Sequence, residues 1–116
     1  DYPRHHFHLG EALTRTGRLE EAESAFQQVI RLAPDRSEGY AGLCNLYLLQ
    51  KRPGTELLPL AEKAVAIDTS PANLVLLSIP FEQYGERKEA LEAIERAVRM
   101  VPGDPKLLRR LQQLTP

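Results

Sequence analysis

Apolar residues recur at helical rather than alternating spacing along most of the chain. From Pro3 to Thr16, Phe7, Leu9, Ala12 and Leu13 follow a period near 3.6, and Gly17 stops the run. A second helix is predicted from Arg18 to Ala33. Its apolar stripe is Leu19, Ala22, Ala25, Phe26, Val29 and Ile30, leaving Glu20, Glu21, Glu23, Gln27, Gln28 and Arg31 for water. Acidic residues lead this helix and Arg31 trails, as the helix dipole prefers, before Pro34-Asp35 breaks it. Later helix starts carry capping chemistry: Ser37, Thr55, Ser70 before Pro71, and Asp104 before Pro105. Pro59 should fall near the first turn of the fourth helix. Pro80, ten residues into the fifth, predicts a kink or local break near Leu76 to Ser78. In the final segment, Pro105 to Leu114, Leu107, Leu108, Leu111 and Leu114 form one stripe. Lys106, Arg109, Arg110, Gln112 and Gln113 are expected to face away.

The same pattern is written more than once. Leu9, Gly10, Leu13, Gly17, Ala22, Phe26, Val29 and Pro34 are answered without a gap by Leu77, Ser78, Phe81, Gly85, Ala90, Ile94, Ala97 and Pro102, a shift of 68, or twice 34. Leu43, Cys44 and Tyr47 stand 34 after Leu9, Gly10 and Leu13. The second half of this middle copy has slipped by one, so Leu57, Ala61, Ala64 and Thr69 occupy the places of Ala22, Phe26, Val29 and Pro34. The extra residue belongs to the loop Lys51-Arg52-Pro53-Gly54, and the register is recovered at Ser70-Pro71. A unit of this length cannot bury its own apolar face and must stack on copies of itself. Small residues at Gly10, Cys44 and Ser78, opposite Ala22, Leu57 and Ala90, mark where the two helices of each unit cross. Phe26, Tyr40, Tyr47 and Phe81 are expected to fill the gaps between units.

These positions resemble the tetratricopeptide repeat. The resemblance covers about residues 3 to 104 in three copies (about 3–36, 37–70 and 71–104), with 105–114 similar to the family's capping helix. Departures are His6 where a large aromatic is common, Thr69 for the terminal proline, the longer loop at Pro53-Gly54, and Pro80. The implied fold is all-α: one domain over residues 1–116, a right-handed α-solenoid of three helix-turn-helix units plus a capping helix. The resemblance further implies that the first helix of each unit lines a concave face. Spacing then gives the rows Phe7, Ala41 and Val75; Glu11, Asn45 and Ile79; Thr14, Leu48 and Glu82; and Arg15, Leu49 and Gln83. Some of these, Val75, Leu48 and Leu49 above all, could instead be packing residues or lie under a neighbouring domain. Relatives that grip the C-terminal carboxylate of chaperones use lysines, an arginine and asparagines, but the matching places here hold Phe7, Glu11, Gly42, Ala72 and Leu76. Chaperone-tail binding is therefore not expected.

Composition narrows the function classes. With 15 basic against 16 acidic residues and 6% aromatics, nothing announces a nucleic-acid partner. The longest apolar runs, such as Leu74 to Leu77, fall far short of the roughly 20 residues that span a bilayer, so no membrane partner is expected. The single cysteine excludes an internal disulfide and is compatible with a reducing compartment; the sequence does not fix a location, and a cytoplasmic one is favoured. The chain begins at Asp1 close to a repeat boundary, which reads as a piece of a longer protein. His5 and His8 share a helix face, yet no third ligand is evident and no metal or cofactor is expected. Cys44 falls on a tight helix crossing with no histidine nearby in sequence, which suits a buried small residue rather than a nucleophile.

The expected function is a non-catalytic interaction module that takes a peptide or protein segment in its concave groove. The alternative is a structural, dimerising or substrate-positioning domain fused to an enzyme such as a transferase, in which case a homodimer is an option. Candidate partner-contacting residues are Phe7, Glu11, Thr14, Arg15, Ala41, Asn45, Leu48, Leu49, Val75, Ile79 and Glu82.

Overall fold

The computed structural model describes residues 1–116 as seven helices: α1 (Tyr2–Arg15), α2 (Leu19–Leu32), α3 (Glu38–Leu49), α4 (Gly54–Ile67), α5 (Pro71–Gln83), α6 (Arg87–Met100) and α7 (Pro105–Leu114). The 34-residue period is visible in the backbone itself. Helices α1, α3 and α5 end at residues 15, 49 and 83, and each end is closed by the same pair of hydrogen bonds. The amides of Arg18, Arg52 and Glu86 donate to the carbonyls of Leu13, Tyr47 and Phe81, while those of Gly17, Lys51 and Gly85 donate to Thr14, Leu48 and Glu82. This two-bond C-terminal cap needs one residue in the left-handed region. Gly17 and Gly85 supply it with φ of 81° and 78°, and Lys51 is forced into the same conformation at 58°.

The one-residue slip in the middle unit is also real. α2 and α6 start at residues 19 and 87, 68 apart, whereas α4 starts at 54 rather than 53. Two expected caps differ. Ser37 precedes α3 but has helical φ and ψ (−81°, −20°) and makes no side-chain cap bond, because that bond requires an extended capping residue. At α4 the extended residue is Pro53, and Thr55 lies inside the first turn. Ser70 and Asp104 do cap, accepting from the amides of Asn73 (3.2 Å) and Lys106 (2.8 Å). Pro59 is the sixth residue of α4, further in than expected. Pro80 does not break its helix: α5 runs unbroken from Pro71 to Gln83 with the ring fully buried. There the N-terminus of α4 abuts the end of α5, and a Cβ on Gly54 would lie 3.1 Å from Gln83 and 3.3 Å from Tyr84.

No single core exists. Small clusters run along the molecule, each joining consecutive helices: Leu13, Ala22, Ala25, Phe26, Leu43 and Leu46 across α1 to α3; Cys44, Leu57, Ala61 and Leu76 across α3 to α5; Leu74, Ala93, Ala97 and Leu107 across α5 to α7; and Ala90, Ile94 and Leu114 between α6 and α7. The result is elongated, 41 × 25 × 22 Å, as stacking of units requires. At the first junction Phe26 is held between two glycines. A Cβ added at Gly10 would lie 2.8 Å from its ring, and one at Gly42 only 2.5 Å. On the outer side a polar cluster ties unit one to unit two. The Tyr47 hydroxyl donates to Glu23 (2.8 Å), Arg52 bridges Glu23 (3.2 Å) and Glu56 (3.3 Å), and its guanidinium sits 4.0 Å from the Tyr47 ring centre. Burial and the Glu23 carboxylate together push the Tyr47 phenol up.

Candidate functional site

Side chains at i, i+4 and i+7 or i+8 share one helix face, so Phe7, Glu11, Thr14 and Arg15 of α1 point the same way, as do Ala41, Asn45, Leu48 and Leu49 of α3. Two clefts open along these faces. The first, about 500 Å³, is lined by the α1 residues, by Ala41, Asn45 and Leu49 of α3, and by Asp68 at the end of α4. The second, about 670 Å³, takes Leu48 from α3, Val75 and Ile79 from α5, and Lys106 and Arg110 from α7. Ala41, Asn45, Ser70 and Asn73 line both, which makes one continuous groove.

Ten of the eleven candidate residues line this groove. Their environments differ. Leu49 is 60% exposed. Val75 and Leu48 are half-buried against the core clusters, and Phe7 stacks edge-on to Phe26 with ring centres 5.9 Å apart. Glu82 is the one that does not line either cleft; its carboxylate is 2.8 Å from the Arg110 guanidinium. Gln83, the fourth member of its row, lies instead beside Gly54.

Arg110 corrects the expectation that it faces away with the other polar residues of α7. Its side chain is only 15% exposed; Nε donates to Ser78 Oγ (3.2 Å), Nη1 pairs with Glu82, and Nη2 is buried without a partner. Conversely Leu108, placed on the apolar stripe, is 40% exposed. Position 110 lies three after Leu107 and four before Leu114, on the edge of the buried face, so the spacing did carry the signal. Asn73 was also missed. Its amide donates to the Asp68 carbonyl (2.9 Å) and the Ala64 carbonyl (3.4 Å), anchoring the floor of the groove to the end of α4.

Charge is distributed unevenly. Glu11, Glu38 and Asp68 line the first cleft against Arg15 alone. Of these carboxylates only Glu11 has a titratable side chain within reach, the His8 imidazole at 3.4 Å, and neither Glu38, Asp68 nor Arg15 makes an ion pair. In the second cleft Lys106 and Arg110 are balanced by Asp104 and by Glu82 beneath. The Asn45 amide is exposed and has no intramolecular hydrogen bond.

Elsewhere little chemistry is assembled. No three His, Cys, Asp or Glu side chains come together as a metal-binding group. Burial pushes the Cys44 thiol up to about 11, and its sulfur lies 3.8 Å from the Leu57 carbonyl at the α3/α4 crossing. A thiol so protonated and enclosed is a packing group. No helix is long and apolar enough to cross a membrane.

Fold and groove together define a helical-repeat solenoid with an open inner face. Residues 6–36 match the family model described as tetratricopeptide repeat, and over nearly its whole length the chain has the fold of solved tetratricopeptide-repeat domains. Its fold is similar to the first such domain of Spaghetti (RPAP3) bound to the HSP90 peptide SRMEEVD (TM-score 0.89, 15% identity, covering 97% of this chain and 90% of that one). It is also similar to the Sgt2 domain from Aspergillus fumigatus (0.86, 17%, 97% and 76%). A third likeness is the Yersinia enterocolitica type III secretion chaperone SycD in complex with a peptide of the translocator YopD (0.82, 17%, 96% and 90%). No curated protein sequence matches the chain.

Proposed function

We propose that the groove binds an extended or helical segment of another protein, and that the domain does so without chemistry of its own. One observation carries this reading: Leu49, an apolar side chain 60% open to solvent, stands in a continuous groove beside Phe7, Ala41 and the unpaired amide of Asn45. Apolar anchors next to free backbone-binding groups suit peptide capture. Two proteins of the same fold are seen with peptides, the HSP90 peptide SRMEEVD and a YopD segment, which supports the class of ligand but not its sequence. An acidic tail is a poor fit here, because Phe7, Glu11, Gly42, Ala72 and Leu76 line the groove without offering a cation.

Selection of random displayed peptides on the purified domain tests the proposal. Binders should be recovered, and Leu49→Asp should weaken them about tenfold or more while leaving the melting temperature unchanged. Recovery of no binders, or of binders indifferent to Leu49→Asp, would contradict it. Self-association seen by light scattering and lost in Leu49→Asp would favour the dimerising alternative.

A further inference from the structure

The groove has two ends of different character, and that difference specifies its ligand further than the fold does. The first cleft presents Glu11, Glu38 and Asp68, with Glu38 and Asp68 free of any ion pair and Arg15 the only cation in the lining. Phe7 and Glu38 also line the adjoining cavity on the N-terminal side, together with Arg4 and with Arg36, which Asp1 engages at 3.3 Å. The second cleft is locally neutral, since Arg110 is paired with Glu82 and Lys106 lies beside Asp104, and it offers Leu48, Val75 and Ile79.

Resting on the peptide-groove reading above, we infer that the natural occupant is a protein segment carrying a lysine or arginine that seats in the first cleft, next to an apolar side chain that seats in the second. Three carboxylates against Arg15 and, on the N-terminal side, Arg4 leave a net negative charge at the first cleft, so a cation is attracted and an acidic segment repelled. The apolar lining beside them favours burying the aliphatic stem of a lysine or arginine while its head meets the carboxylates. Asn45, shared by both clefts, lies where its amide can hydrogen-bond the backbone between the two anchors. The inferred ligand is thus opposite in charge to the acidic peptide seen on the Spaghetti domain.

Three pools of labelled decapeptides test this, each with apolar and uncharged polar residues varied at the outer positions and lysine, glutamine or glutamate fixed at the central pair. Fluorescence anisotropy at low salt should show the lysine pool binding about tenfold tighter than the glutamine pool, with the glutamate pool weakest. The triple variant Glu11→Gln, Glu38→Gln, Asp68→Asn should erase the difference between the lysine and glutamine pools while leaving the melting temperature unchanged. If the glutamine or glutamate pool binds as tightly as the lysine pool and Leu49→Asp still weakens it, the cationic ligand is refuted while the groove stands. A lysine preference that survives in the triple variant also refutes it. If no pool binds at millimolar protein, both readings fall together.

Discussion

Phe26 keeps its place because the two stretches of backbone that press on its ring, at Gly10 and Gly42, carry no side chain. Gly10 approaches from α1 and Gly42 from α3, and a methyl group at position 42 would lie 2.5 Å from the ring. Replacing Gly42 with alanine should therefore displace Phe26 and destabilise the domain by about 1–3 kcal/mol. Urea denaturation followed by circular dichroism reads this directly, and a loss below about 0.5 kcal/mol would mean that the ring has room to move. Half of this contact was legible in the sequence. Gly10 stood out as a small residue at a helix crossing, but comparing positions 34 apart pairs it with Cys44. Gly42 is matched to Gly10 by space alone, across the junction between units, and no periodic reading brings the two together. Arg110 was misread for a related reason. Counting it with the polar face ignored that a guanidinium with an acidic partner can line a groove while its stem packs, as Arg110 does against Glu82.

The repeating element is a helix closed by a left-handed residue, and the middle copy carries the weakest version. Gly17 and Gly85 adopt positive φ freely, and a Cβ at either would meet nothing within 4 Å. Lys51 takes the same conformation against its steric preference. Lys51→Gly should therefore stabilise the domain by about 0.5–1 kcal/mol, the relief of left-handed strain less the entropy glycine adds to the unfolded chain. Gly85→Ala should cost about 1 kcal/mol, and thermal melts of both variants give the two signs. Equal melting temperatures for Lys51→Gly and the parent would show that the strain is already relieved. Most of this scale was legible: the period and the one-residue slip follow from hydrophobic register. The caps at Ser37 and Thr55 did not, because capping depends on whether the residue before the helix is extended. At α3 Ser37 is already helical, and at α4 Pro53 takes the extended role. Pro80 leaves α5 uninterrupted, buried where that helix is held between α4 and α6.

At the scale of the molecule, a chain of small clusters in place of one core leaves the inner faces of α1, α3 and α5 open in a molecule 41 Å long. The family resemblance, which put the first helix of each unit on the inner face, and the spacing of 34, which sets residues in rows, together led to ten residues that line that groove. The candidate rows left out the turns, the start of α5 and the last helix. Asp68, Lys106 and Arg110 reach the groove from segments that the repeat pattern treats as a connection or a solvated cap, and Asn73 reaches it from the first turn of α5. They set its charge and floor. The account's central claim is that this inner face receives a peptide, and backbone amide shifts of the labelled domain, titrated with a peptide selected on it, test that claim most directly. The account predicts perturbations concentrated at Glu11, Asn45, Leu49 and Ile79, with Glu20, Gln27, Glu62 and Glu95 on the second helices of the units unmoved. Perturbations centred on those second helices, or on Tyr2 and Leu9 at the exposed edge of α1, would contradict it.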